Sequence, residues 1–160
     1  MPAPGPDPIL TDGRQSAAAL EIQRGVCRLL GAYGLAVVTE MPLANARRAD
    51  VVGLSPKGDL WIVEIKSSVA DFRADHKWPD YADFADQLYF AVQPEFPASL
   101  LPTSTGLILA DRYGGEIIRE APVQRLAPAR RKAVTLAFAR IAAGRLARLG
   151  DPDIAAPERD

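Results

Sequence analysis

Cysteine occurs once in the 160 residues, at Cys27, and histidine once, at His76. A lone thiol cannot close an internal disulfide, and a lone imidazole without Cys or His companions cannot build a zinc site. No run of about 18 apolar residues is present, which excludes a transmembrane helix. The opening MPAPGPDPILTDG has neither a cationic start nor an apolar core, so it does not read as a secretory leader. No Gly-rich phosphate loop occurs, so ATP-dependent action is not indicated. These absences predict a cytoplasmic chain. Net charge is also nearly missing, at −1, which argues against a generic nucleic-acid coat protein. The charge is nevertheless uneven. Arg125, Arg130, Arg131, Lys132, Arg140, Arg145 and Arg148 stand between 125 and 149 with no acidic residue among them, and the rest of the chain carries a balance of −8.

What is present is ordinary globular material: 48% hydrophobic and 24% charged residues, enough for one domain with its own core. Residues 1–15 hold four prolines and read as a flexible arm, and 151–160 as a flexible tail, leaving a single domain over 16–150. There is no internal repeat. Ser16 is placed to cap a helix that runs to about Tyr33 and stops at Gly34, with Ile22, Val26, Leu29, Leu30 and Tyr33 on one face. Strands are predicted over Leu35–Glu40, Arg48–Leu54 and Leu60–Lys66, the last two joined by a Pro- and Gly-containing hairpin turn. Ala70–Asp86 reads as helical with an interruption at Pro79. Leu88–Val92, Gly106–Ala110 and Glu116–Arg119 read as strands, and an Ala- and Arg-rich helix runs from Pro128 to about Leu149. The order predicts an α/β or α+β sandwich around a mixed sheet.

The chemistry concentrates between Asp50 and Lys66. With a three-residue turn centred on Lys57, Asp50 lies opposite Glu64, and period-two alternation puts Lys66 on the same face as Glu64. Two facing carboxylates repel unless something positive lies between them. A divalent cation with oxygen ligands meets that need, and Mg²⁺ (or Mn²⁺) suits a site of few carboxylates plus water and phosphate. Lys66 is placed to hold a water or a phosphate oxygen, and the set suits metal-assisted phosphodiester hydrolysis. The alternative is a salt-bridged hairpin in which Lys66 merely neutralises Glu64. Val51, Val52, Ile62, Val63 and Ile65 speak against it, because strands so apolar are covered on both faces and strand-end charges there are costly. Arg73, Lys77 and Trp78 follow directly and could contact phosphate and stack on a base, although Trp78 could equally pin its helix to the core. Arg130, Arg131 and Lys132 could contact a phosphate backbone or simply solubilise their helix. Arg47 and Arg48 flank the site and form the alternative contact surface.

Asp50, thirteen intervening residues, then Glu64-Ile65-Lys66 resembles the PD-(D/E)XK nuclease motif, within the fold shared by restriction endonucleases and Holliday-junction resolvases. Ala49 stands where that motif's name puts proline. More narrowly, RADVVGL, DLWIVEIKSS, DFRADHKWPDY and DQLYFAV, between Arg48 and Val92, resemble the MmcB-like DNA repair protein family of bacteria. The resemblance implies a restriction-endonuclease-like αβββαβ core with a mixed sheet flanked by helices, an added β-hairpin and a C-terminal helix. It implies Asp50, Glu64 and Lys66 as catalytic residues, with Asp50, Glu64 and the Ile65 carbonyl as metal ligands. Glu21 of the first helix is the candidate for a further ligand, set against an ion pair with Arg24 or Arg28, and Glu40 is a substitute for it. Tyr81, Gln87 and Tyr89 are implied as residues supporting the site. The implied partner is DNA, met in the nucleoid, and a homodimer is common in this fold when both strands are cut. The expected activity is endonucleolytic cleavage of damaged or branched DNA. The alternatives are a DNA-binding repair accessory that does not cut, and an RNA-processing nuclease.

Overall fold

The computed structural model describes residues 15–156. Ser16 opens the first helix in extended backbone and its hydroxyl accepts from the Ala19 N–H at 3.1 Å, capping α1 (Ala17–Ala32). Gly34, at φ +81°, then takes a left-handed conformation and turns the chain into β1 (Ala36–Pro42). β2 (Arg48–Leu54) and β3 (Leu60–Ile65) form the predicted hairpin. Its turn is closed by Ser55 N–H to the Asp59 carbonyl at 2.9 Å, with Gly58 at φ +89° and the Ser55 hydroxyl accepting from Lys57 and Asp59 N–H. The resulting register pairs Leu54 with Leu60 and Val51 with Val63.

The stretch expected to be one interrupted helix is two short pieces, α2 (Val69–Ala74) and a 3₁₀ segment over Trp78–Phe84. The break lies at Asp75–Lys77, before Pro79, because the Asp75 side chain accepts from Lys77 N–H and ends the helical run. β4 (Gln87–Val92), β5 (Gly106–Ala110), β6 (Gly115–Arg119) and α3 (Pro128–Gly150) complete the chain. Among the described residues one open sheet carries six strands in sequence order. β1–β2–β3 are antiparallel, β3–β4–β5 parallel, and β6 antiparallel at the edge, so the expected added hairpin is part of the main sheet. The expected arm, except Gln15, lies outside the described residues, as do 157–160 of the expected tail.

Helices cover both faces. Ile22, Val26 and Leu30 of α1 pack on Val51, Val63, Ile65, Tyr89 and Ile108. Val134 and Phe138 of α3, with Tyr81 and Phe84, pack on Val38, Val52, Ile62 and Leu88. A Cβ on Gly25 would lie 1.9 Å from the Asp111 carbonyl oxygen, so the small residue there serves the close crossing of α1 over the β5–β6 turn.

Asp86, at the start of β4, ties the two layers together. Its buried carboxylate accepts from Leu60 N–H at 2.8 Å, from Leu126 N–H at 2.9 Å, and from both terminal nitrogens of Arg131 at 2.7 and 2.6 Å. Burial opposes its charge, yet these donors hold its pKa down at about 2. Arg131 was expected among the nucleic-acid contacts. Its guanidinium is instead committed to Asp86 and the Gly58 carbonyl, which fixes α3 to the hairpin turn. Asp86→Ala is expected to cost roughly 3 kcal/mol in a denaturant titration, because it strands a partly buried guanidinium and two backbone donors.

Candidate active site

At the end of β3 away from the turn, the β2–β3 ladder stops after Val51–Val63 while β3 continues beside β4 through Ile65 and Ala91. Side chains replace the missing ladder bonds. Asp50 Oδ2 accepts from Ile65 N–H at 2.7 Å, and Glu64 Oε1 accepts from Asp50 N–H at 3.2 Å. The two carboxylates therefore face each other across the opening, each with one oxygen occupied by a backbone donor. Burial pushes Asp50 up from the ordinary 3.8 to about 6, against the Ile65 N–H. Burial and then the charge of Asp50 push Glu64 well above its usual range.

Lys66 forms no salt bridge with this pair, although its charge draws both carboxylates down against their burial. Its buried ammonium lies 2.6 Å from Asp75 Oδ2. Burial disfavours the ammonium, but the Asp75 hydrogen bond and the surrounding carboxylates outweigh it and raise the Lys66 pKa, while Asp75 is held low in turn. The reading of Lys66 as the plain partner of Glu64 is therefore replaced by a different pairing. An open cleft of about 440 Å³ lies over the group, walled by the start of α1 at Ser16 and Ala19, by Glu40 and Arg48, by Asp71, Ala74, Asp75 and Lys77, and by Tyr81. Tyr81 donates to the Arg48 carbonyl at 3.0 Å. Among the described residues no three His, Cys, Asp or Glu side chains come together as a metal cluster. Asp50 and Glu64, with Ile65 lining the same cleft, still fit a divalent cation of Mg²⁺ type, which keeps several waters and needs few protein oxygens.

The remaining expected residues divide. Glu21 is exposed and does not line the cleft, whereas Glu40 does. Glu40 sits at φ +49° in β1 between the pairs Thr39–Val51 and Met41–Ala49, which sets it across from Asp50, and it is ion-paired with Arg48 at 2.7 Å. Gln15 and Gln23 also donate to it, and Arg145 donates to its carbonyl. Lys77 lines the cleft, Arg73 is exposed on α2, and Arg47 is paired with Asp80. Trp78 is half-buried with its ring edge-on to Phe90, so it serves the core. Gln87 and Tyr89 are not brought to the cleft: Gln87 donates to the Ala121 carbonyl, and Tyr89 stacks on Trp61 and donates to Glu120. Arg130 lies over the Phe84 ring, and Lys132 borders a groove beside Gly58, at the other end of the sheet. Sequence reasoning overlooks Asp75. The available signal was the Asp71/Asp75 pair at helical spacing directly after a strand-end lysine.

A profile of the DNA repair protein MmcB-like family matches residues 6–153. The chain belongs to the MmcB-like family. The SPO1766 protein of unknown function from Silicibacter pomeroyi, a solved structure, is 48% identical and matches with a TM-score of 0.85, over 90% of this chain and 99% of that one. No curated protein matches. Among the described residues of this MmcB-like chain no helix is long and apolar enough to cross a membrane.

The raised carboxylates make stability depend on pH. Because Asp50 binds its proton more tightly folded than unfolded, the folded state carries the excess proton between pH 3.8 and about 6. Without metal the melting temperature is therefore expected to fall as pH rises through that window, and the raised Glu64 extends the fall to higher pH. Asp50→Asn should flatten this fall and raise the melting temperature at neutral pH, as scanning calorimetry at stepped pH would show.

Proposed function

We propose that this MmcB-like protein is a divalent-metal-dependent nuclease that hydrolyses phosphodiester bonds in DNA during repair, at damaged or branched structures. The observation that carries the reading is the facing pair of half-buried Asp50 and buried Glu64, to which no side chain among the described residues is salt-bridged, because the adjacent lysine is bound to Asp75. Two facing, partly desolvated carboxylates repel unless a cation completes them or a proton stays between them. The Asp50, Glu64, Lys66 spacing of the PD-(D/E)XK motif agrees with that reading.

In this mechanism Asp50 and Glu64, with the Ile65 carbonyl, would hold a Mg²⁺ or Mn²⁺ ion. When bound it supplies Lewis-acid polarisation of the phosphoryl oxygen and a more acidic water. The Ile65 and Asp50 N–H groups fix the orientation of the two carboxylates, so little reorganisation is needed on binding. Lys66 carries a fixed positive charge within the cleft, where it would orient the attacking water or stabilise charge on the phosphate. Tyr81, bonded to the Arg48 carbonyl, stiffens the strand start that carries Asp50. Lys77, which lines the cleft, and Arg73, exposed on the neighbouring α2, would meet the phosphate backbone.

Asp50→Asn and Glu64→Gln are expected to abolish Mg²⁺- or Mn²⁺-dependent cleavage of labelled linear, flapped, forked and four-way DNA while keeping the circular dichroism spectrum. Lys66→Met should lower turnover by about 10²–10³-fold. Cleavage at wild-type rates by both carboxylate variants would refute the reading. A second reading is a DNA-binding repair accessory of the same fold that does not cut. Binding then persists without turnover. For either reading Arg73→Gln and Lys77→Gln should each lower the slope of log affinity against log salt by about 0.9 on duplex DNA. Lys132→Gln, at the other end of the sheet, should leave it unchanged, as anisotropy titrations at several salt concentrations would report.

A further inference from the structure

We propose that Asp75 is a positioning residue that holds the Lys66 ammonium away from Asp50 and Glu64, and so keeps that pair open to a divalent cation. The inference rests on the reading of the pair as a metal site. Lys66 follows Glu64 by two residues just past β3, on a flexible four-carbon stem, so buried Glu64 and half-buried Asp50 compete directly for its charge. Were it to turn to them, a protein cation would occupy the place of the metal. Its ammonium instead lies 2.6 Å from Asp75 Oδ2.

Asp75 is a fixed partner. Its Oδ1 accepts from Lys77 N–H at 2.7 Å, and its own N–H closes the last turn of α2 on the Phe72 carbonyl at 3.2 Å. Phe72 and Trp78, on either side, meet the Phe90 ring edge-on at 5.7 and 5.4 Å and anchor the segment to β4. With one carboxylate oxygen on Lys66 and the other on the backbone, Asp75 is occupied as an orienting group. It is not a third metal ligand.

Asp75→Asn keeps the size of the side chain and an oxygen for the Lys77 N–H, but removes the charge that holds Lys66. The test is Mn²⁺ binding to the full chain without DNA, followed by the electron paramagnetic resonance signal of free Mn²⁺. Four proteins are compared: wild type, Asp75→Asn, Lys66→Met and the double variant, each checked for fold by circular dichroism. Asp75→Asn is expected to bind Mn²⁺ about tenfold more weakly than wild type, the scale of one near-surface charge pair. Lys66→Met and the double variant should agree within about threefold, since Asp75 then has no ammonium to restrain. Equal affinities of wild type and Asp75→Asn would overturn the role of Asp75 while leaving the metal site standing. An equal loss on the Lys66→Met background would also overturn it, because Asp75 would then act by its own charge. Wild-type binding that is absent, or indifferent to Asp50→Asn, would overturn the metal reading itself and this inference with it.

Discussion

The repulsion between Asp50 and Glu64 is kept in place by hydrogen bonds that neither carboxylate can give up without stranding a backbone N–H. The β2–β3 ladder ends where those side chains take over the donors of Ile65 and Asp50, and β3 goes on alone beside β4. The opening between the strands is thus a product of the carboxylates themselves. Because α1 covers one face of the sheet and α3 with the 3₁₀ segment covers the other, water cannot spread the charge of the pair freely, and both acids hold their protons more tightly than usual.

The cations around this pair are distributed so that few are free to move onto it. Lys66 is on Asp75, Arg48 on Glu40 and Arg47 on Asp80. On α3, Arg131 locks the turn end of the sheet through Asp86, and Arg145 reaches the carbonyls of Thr39 and Glu40 at the cleft end. The basic helix that looked like a phosphate-binding face is therefore in part a brace running the length of the sheet. Its positive charge without carboxylates is partly answered by acids on other elements, which the count along the chain could not reveal.

Much of the architecture was legible because it depends on local rules. Ser16 and Gly34 bound α1 through capping and left-handed backbone, and the Ser55–Asp59 turn with Gly58 sets the register that brings Asp50 across from Glu64. Where the reading went astray, the cause was long-range. Gln87 and Tyr89 are polar-tipped residues near the motif in sequence, yet packing turns them to Ala121 and Glu120.

The amino-acid order alone determined the six strands, the buried hairpin and the facing of two carboxylates, since alternation and turn length act between residues a few positions apart. Only the tertiary structure decided which ions neutralise one another. Four carboxylates, Asp50, Glu64, Asp71 and Asp75, interact with the Lys66 charge, and the choice of Asp75 follows from the anchoring of α2 on β4 by Phe72 and Trp78. Arg131 and Asp86, 45 residues apart, meet because α3 crosses the turn end of the sheet. Side-chain charges pair across space, and a pairing between elements distant in sequence exists only once both are packed on a common core.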